Sequence, residues 1–433
     1  MKNKKVLILT YYWPPAGGAG VQRWLKFVKY LSPLGYDLHV YTAENPEAPA
    51  MDDSLLQDVP DDVTVIKKPI WEPLNLYKKL THKKGSFNAG FLSEEKNNKK
   101  KWSEKLSMFI RANLFVPDAK MFWIRPSTKF LQKYIQENKI DLIISSGPPH
   151  SLHLIALKLK KKLNIKWIAD FRDPWTNIDF YQELPMLHLI DAKQKKMEKL
   201  VLKQADRVIV VGDEMKKEFL EINPQSKIDV VTNGFDSDIR ESEDLDIPFT
   251  ILHIGSINAA RSHESFYKAI ALFLKENDEA KQHFLLKLVG KVDFEAREYI
   301  SKYKLESNTE YISYLPYKQI KEIQEKAQLL YLPINNTPNA KGILTGKFFE
   351  YLAARRYIIA QGPTNGDVAK ILEETNSGNI FDYSDTNAVK NSITNYYTKY
   401  LNNEYEIKSK NIEHYSRKNL TNKLSKIINL VSL

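Results

Sequence analysis

Residues 5–34, KVLILTYYWPPAGGAGVQRWLKFVKYLSPL, decide the fold class. Residues 5–12 form an apolar run that is typical of a strand covered by helices on both faces of its sheet. A turn rich in proline and glycine follows, and residues 20–34 then space their apolar side chains like a helix. This succession of strand, loop and helix predicts the first unit of a parallel sheet.

Similar strand patterns recur along the chain, with helical stretches between many of them. In the first half they occupy residues 36–42, 63–68, 141–145, 166–170, 207–211 and 228–232. After the acidic stretch ESEDLDIP, a second series occupies residues 249–255, 284–290, 310–314, 329–333, 357–361 and 379–383. We therefore expect an α/β protein with two Rossmann-like, doubly wound domains at 1–244 and 245–410, followed by an amphipathic helix at 411–433.

Composition limits the class of protein further. Of the 433 residues, 64 are Lys or Arg and 53 are Asp or Glu, which gives a formal charge of +11. The absence of cysteine excludes a disulfide scaffold, thiolate metal sites and a cysteine nucleophile. No uncharged run reaches the ~20 apolar residues of a spanning helix, and the first apolar stretch is too short for a signal peptide. These features predict a cytoplasmic protein.

One insertion, at 78–124, departs from the alternation of predicted strands and helices. Residues 78–105 hold nine lysines against three glutamates, and residues 106–124 are rich in apolar and aromatic side chains, including Phe109, Phe115 and Trp123. Basic charge beside an aromatic wedge is typical of a peripheral contact with an anionic membrane. A solvated loop followed by an ordinary buried helix is the alternative. Nucleic-acid binding is disfavoured because no recognition motif accompanies the charge.

The glycine loop after the first strand is the first candidate ligand site. Gly17 and Gly18 allow a ligand to approach the backbone at a helix N-terminus. Gly18-Ala19-Gly20 begins like a dinucleotide fingerprint, but Arg23 stands where the third glycine belongs and no acidic residue ends the second strand. A nicotinamide dehydrogenase is therefore disfavoured, and a structural tight turn is the alternative to a ligand site.

Two further strand ends in the first domain carry polar side chains. SSGPPH at 145–150 and DFRDPW at 170–175 each end a predicted strand. Ligands of open parallel sheets bind beyond the carboxyl ends of the strands. We therefore expect one cleft wall to contain His150, Asp170, Arg172 and Asp173. The alternatives are a capping or packing role for His150 and a structural ion pair between Arg172 and Asp173.

The most specific site lies in the second domain, at TGKFFEYLAA, residues 345–354. A helix N-terminus together with Lys347 suits a diphosphate, and Glu350 one turn deeper suits the diol of a ribose. The alternative is that Glu350, as a glutamate in the first turn of a helix, only complements the helix dipole. Gly255 ends the first strand of this domain, and Arg261, predicted to enter the next helix, supplies a second cation. A nucleoside diphosphate in an interdomain cleft is the economical interpretation.

Taken together, these motifs resemble the family 4 glycosyltransferases of the GT-B type, also described as glycosyl transferases group 1. The matching residues are Gly17-Gly18, Asn233-Gly234-Phe235-Asp236, Gly255 with Arg261, and Lys347-Phe348-Phe349-Glu350-Tyr351-Leu352-Ala353-Ala354. The resemblance implies two Rossmann-like domains that face each other across a cleft, with the C-terminal helix packed on the first. It also implies a hexosyltransferase-like enzyme that acts with retention and without a metal or other cofactor.

The resemblance assigns roles to individual residues. Arg261 and Lys347 would hold the donor diphosphate and stabilise it as leaving group, Glu350 would bind the ribose, and His150 would lie near the transferred sugar. Where many members have a second glutamate, this chain has Gly342, and Ser256 replaces a basic residue after Gly255. Backbone groups around Gly342, Thr345 and Gly346 would then complete the donor site. The Asp236-Ser237-Asp238 sequence resembles a metal motif of another glycosyltransferase fold, but metal binding is not expected.

The implied partners are a nucleotide-sugar donor and a glycan or lipid-linked acceptor in cell-surface polysaccharide synthesis, without nucleic acid. A lipid-linked acceptor would bring the protein to the inner face of the plasma membrane. A nucleotide-sugar epimerase of similar fold and a non-enzymatic, membrane-associated nucleotide-sugar binder remain as alternatives. An acceptor-dependent product separates the first from a transferase, and any turnover excludes the second.

Overall fold

The computed structural model describes residues 4–48, 51–71, 102–236, 245–313, 315 and 317–431. The described residues group into two compact units. The first takes in residues up to 236, with the gaps just given, and residues 417–431, whereas the second takes in residues 245–416. The boundary predicted between 244 and 245 adjoins residues 237–244, which lie outside the described residues, as does most of the lysine-rich segment 78–105.

Seven parallel strands form the sheet of the first unit, in the order β3-β2-β1-β4-β5-β6-β7. They are β1 (Lys5–Leu9), β2 (Asp37–Ala43), β3 (Thr64–Lys68), β4 (Leu142–Gly147), β5 (Lys166–Phe171), β6 (Arg207–Val210) and β7 (Ile228–Val230). Each strand coincides with a predicted apolar run. The order reverses between β1 and β4, so the carboxyl ends of these strands form the switch point where ligands bind in such sheets.

Helices cover both faces of this sheet because its strands are apolar on both sides. They are α1 (Ala19–Leu31), α2 (Trp102–Leu114), α3 (Ile124–Asn138), α4 (Ser151–Leu163), α5 (His188–Gln204) and α6 (Asp213–Ile222). The alternation along β1 divides the core in two. Leu7 and Leu9 pack into the cluster that contains Trp167, whereas Val6 and Ile8 pack into the cluster that contains Trp24.

Six parallel strands form the sheet of the second unit, in the order β10-β9-β8-β11-β12-β13. They are β8 (Phe249–Ile254), β9 (Phe284–Val289), β10 (Thr309–Ile312), β11 (Leu329–Pro333), β12 (Tyr357–Gln361) and β13 (Gly378–Phe381). The helices are α7 (Glu264–Glu276), α8 (Ala280–His283), α9 (Phe294–Lys302), α10 (Tyr317–Lys326), α11 (Gly346–Ala353), α12 (Asp367–Thr375) and α13 (Thr386–Leu401). The predicted pair of Rossmann-like sheets is thus confirmed, and the second has its own switch point between β8 and β11.

The last helix, α14 (Arg417–Val431), returns to the first unit. Leu424 and Ile428 join the apolar cluster that contains Trp24 of α1. At the start of α14, the backbone N–H of Arg417 donates to the carbonyl oxygen of Phe235 at 2.7 Å. The packing of a C-terminal helix on the first domain, which the resemblance implied, is therefore confirmed.

A buried ion pair joins α1 to the end of β5. Arg23 donates from Nη2 to Oδ1 of Asp170 at 2.7 Å. Asp170 is 0% exposed and also accepts hydrogen bonds from Trp24 Nε1 and Ser146 Oγ. Burial alone would raise the pKa of this carboxyl, but the Arg23 guanidinium and these donors hold it below its usual value. The structure therefore corrects the expectation that Asp170 lines a cleft wall, because its carboxylate is enclosed and fully engaged.

Replacing Asp170 by Asn should destabilise the first unit by about 3–5 kcal/mol, because the Arg23 guanidinium would remain buried without a counter-charge. All seven tryptophans precede residue 176, so tryptophan fluorescence during urea unfolding follows this unit. Glu137→Gln is the matched control, since Glu137 pairs with Lys133 on an exposed helix surface, where such pairs contribute about 0.3–0.5 kcal/mol. Equal urea midpoints for the two variants would contradict a stabilising role for the buried pair.

Candidate functional site

The site in the second unit is built where Lys347 crosses the end of β8. Gly255 follows that strand with a φ of +109°, and a Cβ placed on it would lie 2.1 Å from the Lys347 ammonium. Glycine is therefore required here both by backbone conformation and by space. The first residues of α11 consequently bring a cation directly onto the strand end, which is the location expected of a ligand-binding residue.

Burial changes the chemistry of this lysine. It lowers the pKa of Lys347 to about 7, and the nearby positive charge of Arg261 acts in the same direction, while Glu350 opposes them. Two like charges held together at a strand end favour an anionic ligand, because binding one relieves their repulsion. The helix N-terminus at Gly346 adds to this preference, since, apart from its chain neighbours and its own helix backbone, no described atom lies within 4 Å of where a Cβ on Gly346 would stand.

Arg261 lies in a short helical turn, Ala259–Arg261, before α7 begins at Glu264, and not within that helix as the sequence suggested. Its Nε donates to Oδ1 of Asn335, and its Nη1 donates to the carbonyl oxygen of Ser256 at 3.4 Å. Asn335 follows β11, so these bonds tie together the loops at the switch point of the second sheet. Sequence reasoning missed Asn335, because only the topology brings its loop beside the end of β8.

The alternation of buried and outward side chains on α11 explains its sequence. Tyr351 is buried, and its hydroxyl accepts a hydrogen bond from the backbone N–H of Ile254 at 2.8 Å, which fixes the helix against β8. Phe348 and Phe349 are fully buried, whereas Lys347 and Glu350 keep partial exposure. Hence the spacing of three residues between Lys347 and Glu350 places both at the edge of the site.

Three further residues lie close to Lys347 in the chain or in space. Thr345, at the start of α11, has a buried hydroxyl without a hydrogen-bond partner among the described residues. Gly342 lies in the preceding short turn, Ala340–Gly342. His253, to which the sequence assigned no role, hydrogen-bonds through Nδ1 to the carbonyl oxygen of Tyr331 at 3.0 Å. Burial and then the charge of Lys347 lower the pKa of His253 far below its usual value, so it is neutral.

In the first unit, Arg172 ties together the loops at the switch point. Its guanidinium donates from Nη1 to the carbonyl oxygen of Gly20 at 3.0 Å and from Nη2 to that of Pro148 at 2.5 Å. The side chain therefore bridges the glycine loop after β1 and the loop after β4. Gly18 in that first loop has a φ of +100°, which explains a glycine there. Asp173, by contrast, is exposed and makes no ion pair with Arg172 in the described part of the chain.

His150 lies beside this bridge. Its imidazole stacks on the indole of Trp175, with ring centroids 4.5 Å apart and planes inclined by 3°. It is 8% exposed, and burial is the first cause that lowers its pKa well below the usual value. Sequence reasoning missed Trp175 as the partner of His150. It also missed Asp118, which accepts a hydrogen bond from the backbone N–H of Ser151 at 2.8 Å and so caps α4 beside His150.

The apolar insertion divides into a buried and an exposed part. Trp123 is 2% exposed and stacks on Tyr41, so its prediction as part of a surface wedge is wrong. An exposed apolar face nevertheless exists around α2, where Phe109 is 41% exposed and Leu114 is 66% exposed, near an exposed Phe122 that contacts Trp71. Among the described helices, none combines the length and apolar character needed to cross a membrane.

In the candidate metal motif Asp236-Ser237-Asp238, the first aspartate contacts side chains of α1. Asp236 forms an ion pair with Lys26 and accepts a hydrogen bond from the Tyr30 hydroxyl, both on α1. Asp238 lies outside the described residues. The Asn-Gly-Phe-Asp motif thus anchors the end of the first unit to α1, through Asp236, and to α14, through Phe235.

Comparison with known proteins identifies the class to which these sites belong. Residues 103–239 match the Glycosyltransferase Family 4 model, and residues 235–419 match the model of Glycosyl transferases group 1. The two matches together span residues 103–419, and the chain belongs to these glycosyltransferases. No curated protein matches the chain.

Solved structures share the GT-B fold over nearly the whole chain. A glycosyltransferase from Rickettsia africae has 15% identity and a TM-score of 0.61, covering 100% of this chain and 99% of its own. Anabaena HepE in complex with UDP has 12% identity and a TM-score of 0.62, covering 98% of this chain and 100% of its own. WaaG, a glycosyltransferase involved in lipopolysaccharide biosynthesis, has 13% identity and a TM-score of 0.56, with 98% and 99% covered.

The lowered pKa of Lys347 can be measured without a ligand. Because the amine loses its proton near pH 7, trace acetylation of Lys347 should be half-maximal at about pH 7, against ~10.4 for an ordinary lysine. Mass spectrometry of the peptide that contains Lys347 follows the reaction. Arg261→Gln should move the midpoint to higher pH, because it removes a neighbouring like charge, and Arg261→Lys is the control that keeps the charge. A midpoint above pH 10 in the unaltered protein would exclude this environment.

Proposed function

We propose that this glycosyltransferase moves a sugar, with retention of configuration and without a metal ion, from a nucleotide-diphosphate sugar to a hydroxyl group of a glycan or lipid-linked acceptor. The observation that carries the proposal is the pairing of Lys347 and Arg261 at the end of β8, beside the open N-terminus of α11. HepE, a protein of the same fold, has been solved with UDP, with UDP and glucose, and with UDP-glucose.

The donor would bind mainly to the second unit. Its diphosphate would contact Lys347, Arg261 and the backbone amides at Thr345 and Gly346, and its ribose would contact Glu350. A bound diphosphate raises the pKa of Lys347, so the neutral amine takes up a proton above pH 7 as the donor binds. Transfer would then depend on this newly formed cation.

The same groups would stabilise the leaving nucleoside diphosphate. The bond between the anomeric carbon and the phosphate oxygen breaks as the acceptor hydroxyl forms a new bond to that carbon from the same face. The acceptor proton passes to a departing phosphate oxygen. Electrostatic stabilisation of a leaving group at a fixed cationic site is a large catalytic term, and the scheme requires no pair of carboxylates as in glycosidases.

The acceptor would be held by the first unit, at the loops that Arg172 joins. His150, Arg172 and Asp173 are the candidate contacts, whereas the enclosed Asp170 acts by positioning α1. The role of WaaG in lipopolysaccharide biosynthesis supports an acceptor from cell-surface polysaccharide synthesis. The family assignment favours transfer over epimerisation, and a product that forms only when acceptor is present separates the two reactions.

The donor is identified by thermal shift with a panel of nucleotide-sugars, because a ligand at 100 times its Kd adds ~2.7 kcal/mol of stability. Transfer with that donor is then measured with and without EDTA. The anomeric configuration of the product, determined by NMR, tests retention. Inversion of configuration or loss of activity in EDTA would overturn those parts of the proposal.

Glu350→Ala should weaken donor binding or turnover by roughly 10- to 150-fold for each charge-assisted hydrogen bond lost to the ribose. Calorimetric titration with the donor nucleotide measures the change. Glu373→Ala, an exposed glutamate of α12, is the matched control and should bind normally. Unchanged donor affinity in a folded Glu350→Ala protein would remove Glu350 from the site.

We further propose that the first unit contacts anionic membrane reversibly from the cytoplasmic side. The support is the exposed apolar face around α2, at Phe109, Leu114 and Phe122, directly after a segment of net charge +6. Basic residues near an anionic surface contribute about 1 kcal/mol each, and exposed aromatic side chains add apolar burial. Such a contact would bring the acceptor loops to a lipid-linked substrate.

Co-sedimentation with vesicles tests this contact. Binding should require anionic lipid, weaken as salt shortens the Debye length, and fall when Lys99, Lys100 and Lys101 are changed to Gln. Lys161, Lys162 and Lys166 changed to Gln form the control, since these lysines are exposed elsewhere on the same unit. Equal recovery in the supernatant with anionic and neutral vesicles at low salt would show that the basic segment is only a solvated loop.

A further inference from the structure

Two buried histidine nitrogens face the same point beside Gly147 at the switch point of the first sheet. A Cβ placed on Gly147 would lie 2.6 Å from Nε2 of His153 and 3.0 Å from Nδ1 of His150. Both atoms are buried without a hydrogen-bond partner among the described residues. His153 itself is 0% exposed. Both nitrogens lie within 3.0 Å of that one point, so a single water molecule can bridge them.

The proton on His153 is assigned by a chain of hydrogen bonds behind it. Trp167 Nε1 is a donor only, and it donates to Ser145 Oγ at 2.8 Å. Ser145 Oγ also lies 2.8 Å from His153 Nδ1. These two groups are the partners of the Ser145 hydroxyl within the described chain, so its single proton goes to His153 Nδ1. His153 therefore carries its own proton on Nε2 and directs an N–H donor toward Gly147.

The proton on His150 follows from the same argument. If His150 were protonated on Nδ1, two buried N–H donors would face each other, and each would remain unsatisfied. A lone pair on His150 Nδ1 instead matches the donor of His153, directly or through one water. The remaining proton of His150 then lies on Nε2, at the ring position farthest from this contact. Stacking on Trp175 holds the plane of the ring.

We propose that His153 is a positioning residue which, through the chain Trp167–Ser145–His153, fixes His150 as a neutral imidazole protonated on Nε2. His150 thus serves as a hydrogen-bond donor rather than as a general base. Where it acts in catalysis, which rests on the proposed function, it donates from Nε2 to an oxygen atom of the sugar or of the acceptor.

The charges around the pair are consistent with neutral rings. Burial, the charge of His153 and then that of Arg172 lower the pKa of His150 well below its usual value. For His153, burial lowers the pKa to about 3, with Arg172 acting in the same direction and Asp170 opposing it. Neither ring therefore gains a second proton near neutral pH.

The test is NMR of the full-length protein carrying ¹⁵N-labelled histidine, because the two ring nitrogens of each tautomer have distinct shifts. The signals of His150 and His153 are assigned by their loss in His150→Gln and His153→Gln. Both histidines should show a proton on Nε2 and should not titrate between pH 5.5 and 8. A proton on Nδ1 of His150, or titration near pH 6.5, would overturn the proposal.

Two variants of His153 separate positioning from packing. His153→Leu fills the space without a donor, so His150 should populate both tautomers and titrate closer to pH 6.5. His153→Gln restores an N–H near the position of Nε2 and should return His150 to the Nε2 tautomer. An unchanged tautomer of His150 in His153→Leu would show that His153 only fills space.

Measurements of transferase activity provide a separate test once the donor is known. His150→Leu should lose roughly 10- to 150-fold in kcat/KM, and His150→Gln, which keeps an N–H near Nε2, should lose less. Correct tautomers without any transfer would overturn the proposed function and leave the assignment of the protons intact. Transfer with the opposite tautomer would overturn the assignment and leave the function intact.

Discussion

The ion pair between Arg23 and Asp170 is the constraint on which the first unit depends. A charge pair that is excluded from water is stable only when its remaining donors and acceptors are also satisfied. Trp24 and Ser146 satisfy the carboxylate, and the carbonyl oxygens of Val231 and Thr232 each accept from the Arg23 guanidinium at 2.9 Å. The pair consequently fixes α1, β4, β5 and the end of the unit in one arrangement. A third glycine in place of Arg23 would remove this ion pair. The departure from the dinucleotide fingerprint at Arg23 therefore has a structural cause.

In the second unit, the helix at the strand end is positioned by the close approach of a lysine to a glycine, and not by a buried ion pair. Gly255 has no side chain, so Lys347 can lie directly over the strand end, and the hydroxyl of Tyr351 holds α11 against β8. This packing removes water from the amine and lowers its pKa. The backbone geometry at Gly255 thus determines how deeply Lys347 is buried and, through that burial, lowers its pKa.

The apolar runs in the sequence were sufficient to predict the strands of both sheets, because parallel strands buried on two faces leave an unbroken apolar pattern. Lys347, Glu350, Gly255 and Arg261 were also predicted, since glycine and a first-turn lysine are local signals. Asn335, Trp175 and Asp118 were not, because each acts on a residue distant in sequence. Trp123 and Asp170 were misplaced for a related reason: an aromatic or a carboxylate after a strand looks the same whether a partner covers it or not.

The residues around His150 combine close packing with a fixed positive charge at the ends of the strands. Within the described ranges, Arg172 forms no ion pair; it donates to the carbonyl oxygens of Gly20 and Pro148, which keeps its positive charge at the switch point. Burial is the main cause that disfavours protonation of His150, which stacks on Trp175, and of His153, and the charge of Arg172 acts in the same direction. The loops after β1 and β4 are thus held together by hydrogen bonds from Arg172 to backbone carbonyl oxygens.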